Sequence, residues 1–196
     1  MSFAAGARKV LDPSLPLNRR VTALRECLSH YHPIGFEASF SFLESLAGDL
    51  YRDPAALTSA LELLTAGHTA WQAELRAYGV LRRQVKQLGY RVPHPLDLNP
   101  HRPTHWHGAR REAAGHAVWF WYSKGASADI DVHALVAALV ERGRFTSVQR
   151  EMFELVRADR VARFAAVDGT RDFQTYSELR DSLYVLRQMA VVVSNA

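Results

Sequence analysis

Residues 69–89 read TAWQAELRAYGVLRRQVKQLG, and this stretch indicates most clearly that the chain is helical. Its large apolar residues recur at spacings of three and four, the period of one face of an α-helix. The pattern stops at Gly89, a residue typical of helix ends. Four basic residues lie mostly opposite the apolar stripe on a helical wheel, so the predicted helix has a basic side. The apolar positions are Trp71, Leu75, Tyr78, Leu81, Val85 and Leu88, and the basic ones are Arg76, Arg82, Arg83 and Lys86.

Helix signals continue towards the N-terminus. Asn18 predicts the start of one helix, and an apolar pattern that begins at Phe36 predicts a second. Asp53 followed by Pro54 is a strong start signal for a third helix, which we expect to end at Gly67 in a left-handed cap. Together with the helix over 69–89, these segments make the first half of the chain helical.

The C-terminal third carries equally regular start and stop signals. Short polar side chains stand where a helix would need its first backbone N–H groups capped, and glycine stands where one would end. The signals are a cap at Asp131 with a stop at Gly143, a capping box of Thr146 and Gln149, and a second capping box of Thr175 and Glu178.

The middle of the chain breaks this pattern. Residues 91–116 hold four prolines and read as a long Pro/His/Arg-rich loop. Residues 117–122, AVWFWY, read as a strand, paired with the 90–98 region in a short β-hairpin or with a second chain; a buried helix segment is the alternative.

The predicted fold is therefore mainly α, a bundle-like domain of about six or seven helices. We divide it into an N-terminal helical region at 1–90, a basic loop region with the candidate strand at 91–125, and a C-terminal helical region at 126–196. We expect these regions to pack as one compact unit.

Composition excludes several classes of protein. At 48% hydrophobic and 22% charged, the 196-residue chain is an ordinary globular sequence rather than a disordered one. Its single cysteine, Cys27, rules out an internal disulfide. No segment is apolar enough to span a bilayer, so we expect a cytoplasmic protein with no membrane partner.

Basic residues are segregated along the chain rather than spread evenly. The formal net charge is +4, yet residues 76–111 alone contribute +7, from eight Arg or Lys against the single acid Asp97. The blocks 1–33, 34–75 and 112–196 contribute +3, −5 and −1. A basic block of this kind favours an anionic partner.

We expect residues 76–111 to bind nucleic acid, DNA or RNA, without catalysing a reaction. The cations would neutralise phosphates, and Tyr90 or Trp106 would stack on exposed bases. The predicted contact residues are Arg76, Arg82, Arg83, Lys86, Tyr90, Arg91, Arg102, Trp106, Arg110 and Arg111.

Three alternatives stay open. A helix-turn-helix at 131–157 would use Gln149 and Arg150 to read base edges. A scaffold protein would form a homodimer, through the apolar segments 118–122 and 186–193. A HEPN-like helical ribonuclease would use an Arg followed four to six residues later by His, a spacing that this composition produces by chance about three times. The pairs with that spacing are Arg25 and His30, Arg102 and His107, and Arg111 and His116.

Four histidines fall within sixteen residues, yet we predict no metal site and no cofactor. Pro103 prevents His101 and His105 from sharing a helical face, the nearest carboxylate in sequence is Glu112, and neighbouring arginines would repel a cation. Phosphate-loop, dinucleotide and nucleophile-elbow motifs are absent from the sequence, and no catalytic residue is assigned. The four histidines are His101, His105, His107 and His116.

Overall fold

The computed structural model describes residues 2–89, 103–125, 129–169 and 172–194. Within these ranges the protein is 77% helical and has no β-strand, which confirms the mainly α class. The described residues form eight helices where six or seven were predicted. They are α1 (Phe3–Leu11), α2 (Leu17–Leu28), α3 (Phe36–Ala47), α4 (Pro54–Gln87), α5 (Arg110–Ser123), α6 (Ile130–Arg142), α7 (Ser147–Ala166) and α8 (Phe173–Val193).

The chain divides into two compact units rather than one, Met1–Ala109 and Arg110–Ala196. We call them the N-terminal unit and the C-terminal unit. Residues 103–109 belong to the first and α5 to the second, so the region predicted at 91–125 is split between them. None of the helices in the described ranges is long and apolar enough to cross a membrane.

In the N-terminal unit, α1 packs on α2 and α4, and α2 and α3 pack on the first half of α4. Gly6 allows α1 to approach α2 closely, because a Cβ at this position would lie 2.6 Å from the sulfur of Cys27. Cys27 is fully buried, and burial raises the pKa of its thiol to about 11. It is therefore a core residue rather than a reactive thiol.

Helix α4 begins as predicted, with Pro54 in its first turn and the Asp53 carboxylate accepting a hydrogen bond from the Ala55 N–H at 2.8 Å. The predicted end at Gly67 is wrong, because α4 continues for 34 residues in all. Gly67 is instead a packing position: a Cβ there would lie 2.7 Å from Cε1 of the buried Tyr31 ring.

In the C-terminal unit, α8 packs against α5, α6 and α7. The predicted strand at 117–122, and with it the hairpin, is wrong because these residues form the end of α5. The buried residues of α5 lie at helical spacing, which the run of aromatic side chains from 119 to 122 concealed in the sequence. They are Ala113, Ala114, Ala117 and Val118.

Some helix ends were predicted correctly from neighbouring residues alone, and others were not. The Thr146–Gln149 capping box and the left-handed Gly143, with φ of 68°, are confirmed. Three other predicted starts are wrong by two or three residues. Pro16 precedes α2 where Asn18 was predicted, Asp129 caps α6 where Asp131 was predicted, and Asp172 caps α8 where Thr175 was predicted.

Candidate functional site

The second half of α4 carries the basic residues that the sequence singled out. The last buried residue of α4 is Gly67, and the four cations that follow are all exposed. Among the described residues none of them forms an ion pair with an acid. We call these four, Arg76, Arg82, Arg83 and Lys86, the basic face.

The other predicted contact residues are not part of this face. Arg110 and Arg111 are exposed in the first turn of α5, which belongs to the C-terminal unit. Tyr90, Arg91 and Arg102 lie outside the described residues. The basic face of α4 is therefore the part of the predicted site that one rigid element brings together.

Trp106 is buried rather than exposed as predicted. It is only 2% exposed and packs edge-on against Tyr31 and Phe42, with ring centroids 5.4 and 5.1 Å apart. A ring enclosed on these sides cannot stack on a base, so Trp106 is a core residue of the N-terminal unit. Its neighbours in sequence, His105 and His107, are partly exposed.

Tyr31 holds the segment around Trp106 in place. Its hydroxyl donates a hydrogen bond to the His105 carbonyl at 3.3 Å and accepts one from the His107 backbone N–H at 2.9 Å. Burial, offset in part by the His107 N–H, raises the pKa of Tyr31 to about 12, with a smaller contribution from the charge of Glu74. Tyr31 thus stays neutral and fixes the backbone on both sides of Trp106.

This arrangement brings two histidines beside a carboxylate of α4. Nε2 of His107 lies 3.5 Å from Oε2 of Glu74, and the His105 and His107 rings are 4.5 Å apart between centroids. One ligand atom from each of the three residues lies within 4.8 Å of the others. We call Glu74, His105 and His107 the histidine–glutamate cluster.

Sequence reasoning missed this cluster because Glu74 precedes the histidines by about thirty residues. Two features of the sequence could have indicated it. His105 and His107 flank Trp106, and Glu74 is an acid on the apolar side of the predicted helix. The expected repulsion from arginines does not apply to Arg76 and Arg83, which lie about 160–180° around α4 from Glu74 at the helical rotation per residue. His101 lies outside the described residues, and His116 belongs to the C-terminal unit, where it packs against Trp119.

Arg25 and His30, one of the pairs with the ribonuclease spacing, both contact other side chains of the N-terminal unit. Arg25 forms an ion pair with Glu37 at 2.7 Å and lies over the rings of Phe36 and Phe40. His30 meets the ring of Phe3 edge-on. The guanidinium is therefore engaged by an acid and two aromatic rings rather than presented to a phosphate.

The C-terminal unit is organised around Arg160. Its Nε and Nη2 donate to the two carboxylate oxygens of Asp129 at 2.8 and 2.9 Å, and it also pairs with Asp131 and Asp159. Burial favours the neutral form of Asp129, yet hydrogen bonds from Arg160, the Val132 N–H and Ser182, with the charge of Arg160, lower its pKa. Hydrogen bonds to Asp129, Asp159 and Asp131, with the charge of Asp129, raise the pKa of Arg160 despite its burial.

An open cavity of about 710 Å³ lies beside this ion pair. Four carboxylates and two arginines share its lining, so acidic groups are in excess there. Because Asp129 caps α6 and binds both Arg160 of α7 and Ser182 of α8, we interpret the group as a structural tie between three helices.

The helix-turn-helix alternative loses its first base-reading residue. Oε1 of Gln149 accepts hydrogen bonds from the Thr146 N–H at 3.0 Å and from its hydroxyl at 3.1 Å. An amide used in a capping box is not available for bidentate contact with adenine. In the two segments of the scaffold alternative, Val118, Leu186, Met189 and Val193 are buried in the core, whereas Trp119 is 49% exposed.

Comparisons with protein-family models, with curated proteins and with solved structures returned no match to this chain.

Proposed function

We propose that the protein binds nucleic acid through the basic face of α4. The observation that carries this proposal is the placement of four exposed cations on a helix segment whose side chains leave the core after Gly67. From Arg76 to Lys86 the helix rises by about 15 Å, so the cations can meet several successive phosphates.

The basic face is also directional. At the rotation of an α-helix its four side chains fall within a sector of about 120°. Tyr78, Leu81 and Val85 lie on the other side of the same segment. Because the cations lie on one side of the helix, they can contact one strand, or one edge of a groove, of a nucleic acid.

The expected mode of binding is contact with the phosphate backbone, with little preference for base sequence. Trp106 is buried, so it cannot stack on a base. We therefore assign base stacking to none of the aromatic residues that the structure describes in the N-terminal unit. Phosphate contacts position a protein on nucleic acid and carry no sequence information, so affinity should depend strongly on salt.

The test is a salt titration of binding to single- and double-stranded DNA and RNA, by fluorescence polarisation. Replacing Arg82, Arg83 and Lys86 together with alanine should flatten the slope of log affinity against log salt by about three units and weaken binding by roughly tenfold or more at low salt. All three positions are exposed, so the fold should persist, and circular dichroism checks this.

A matched control removes the same charge elsewhere. Arg142, Arg144 and Arg150 are exposed in the C-terminal unit, and their triple alanine variant has the same net charge as the first. The proposal requires the α4 variant to lose much more affinity than the control. Equal losses would reduce the effect to net charge, and a larger loss in the control would move the interface to α6 and α7.

A further inference from the structure

The histidine–glutamate cluster combines three groups that ligate the same kinds of ion. Imidazole nitrogen and carboxylate oxygen together are typical ligands of zinc and related divalent transition metals. Ligand atoms in a tetrahedral zinc site are about 3.3–3.5 Å apart, given metal–ligand bonds of about 2.0–2.1 Å. The 3.5 Å between Glu74 and His107 already has this value, and the remaining separations are within 4.8 Å.

The residues around the cluster hold it in this arrangement without a ligand. Trp106 points into the core between the two histidines, and the Tyr31 hydroxyl binds the backbone of both. Gly67 in turn leaves room for the Tyr31 ring against α4, the helix that carries Glu74. A surface salt bridge would not need this buried support, whereas a metal site depends on fixed ligand positions.

We infer that Glu74, His105 and His107 bind one divalent ion of the zinc class. Three protein ligands leave a fourth coordination position for water or for an anionic group. The His107 side chain is only 14% exposed and that of Glu74 is 49% exposed, so the open position faces solvent on the Glu74 side. The inference rests on different residues from the basic face and does not depend on nucleic-acid binding.

Bound metal would fasten residues 103–109 to α4. It would thereby join two parts of the N-terminal unit that are about thirty residues apart in sequence. Because the unfolded chain lacks the assembled site, binding would stabilise the folded state. Stability and affinity should therefore change together when one ligand is replaced.

The experiment is calorimetric titration of Zn²⁺ into the full chain, freed of metal with a chelator and carrying no histidine tag. We expect one equivalent to bind, and Glu74→Gln to weaken binding by at least about tenfold. His107→Gln should have a similar effect. The control His116→Gln, a half-buried histidine on α5, should bind Zn²⁺ as the wild type does.

A second readout keeps the inference falsifiable if His107→Gln does not fold. Glu74 is half-exposed, so its substitution should leave the helix content unchanged. Zn²⁺ should raise the melting temperature of the wild type and of His116→Gln but not that of Glu74→Gln. No binding by the wild type, or equal binding by Glu74→Gln, would overturn the assignment.

Discussion

The two units join distant segments of the chain by different interactions, a neutral hydroxyl in one and an ion pair in the other. In the N-terminal unit the neutral hydroxyl of Tyr31 ties residues 105 and 107 to the helices. In the C-terminal unit the charged pair of Arg160 and Asp129 ties three helices together. Loss of the Tyr31 hydroxyl leaves neutral backbone groups without a hydrogen bond. Loss of either partner of the ion pair leaves an uncompensated charge, which costs more free energy.

The difference also concerns shape. Tyr31 needs space, which Gly67 provides by lacking a Cβ, so the N-terminal tie depends on close packing. Arg160 needs acceptors, which the carboxylates of Asp129, Asp131 and Asp159 provide. The N-terminal unit should therefore be most sensitive to added volume and the C-terminal unit to lost charge.

The largest expected effect is the loss of the buried cation. Arg160→Met leaves the carboxylate of Asp129, whose side chain is only 15% exposed, without its charged partner and should destabilise the C-terminal unit by about 3 kcal/mol. Hydrogen exchange on the full chain should show faster exchange in α6–α8 and little change in α2–α4.

A neighbouring arginine provides the control for that experiment. Arg163 is 55% exposed and lies 3.9 Å from Asp159, so Arg163→Met should have little effect. Adding Asp129→Asn to Arg160→Met should restore part of the stability, because the orphaned charge is then removed. Equal destabilisation by Arg160→Met and Arg163→Met would contradict the role of the ion pair.

The next effect tests packing in the N-terminal unit. Gly67→Ala places a methyl group 2.7 Å from the Tyr31 ring and should destabilise this unit by about 1–3 kcal/mol. The matched variant Gly79→Ala, on the same helix, meets no atom within 4 Å and should instead stabilise α4 by up to about 1 kcal/mol. Thermal unfolding measures both, and a neutral Gly67→Ala would show that Tyr31 can move without cost.

The smallest effect is a difference in pH response. The folded-state pKa of Asp129 is lowered, so its contribution is present above an unfolded pKa of about 3.9 and is lost as pH falls through the folded value. The pKa of Tyr31 is raised to about 12, so its contribution is present below about pH 10 and is lost as pH rises towards 12.

Two variants separate these responses in chemical denaturation at several pH values. Asp129→Asn should reduce the acid dependence of the C-terminal unit, and Tyr31→Phe should reduce the alkaline dependence of the N-terminal unit. Each should leave the other limb of the stability curve as it is in the wild type. A variant that changes both limbs would show that the two ties are not independent.

Prediction from sequence worked where the signal and the structure are within one helical turn. Asp53 with Pro54, Thr146 with Gln149, and Gly143 act on their own neighbours. It worked less well where two polar residues compete for one cap, since Asp129 and Asp131 have the same local chemistry. Asp129 differs from Asp131 in its tertiary contacts: it accepts two hydrogen bonds from Arg160 and one from Ser182, 31 and 53 positions away, whereas Asp131 accepts one from Arg160.

The candidate sites divide in the same way. The basic face could be predicted because residues on one helix keep their relative positions by the geometry of the helix itself. The burial of Trp106 and the position of Glu74 could not, because nothing local distinguishes an exposed loop tryptophan from a buried one. The aromatic run over 117–122 failed for a related reason, since its strand propensity was outweighed by packing of the alanines before it.

The sequence by itself determined the helical class, several helix ends and the segregation of charge onto the second half of α4. These properties depend on backbone hydrogen bonds and side-chain spacing within a few residues. Only the tertiary structure decided that Tyr31 binds the backbone of His105 and His107, which lie 74 and 76 positions further along the chain. It also decided that Glu74 lies beside these two histidines. Contacts at such separations depend on the path of the whole chain, because burial rewards whichever arrangement fills the core with its polar groups paired.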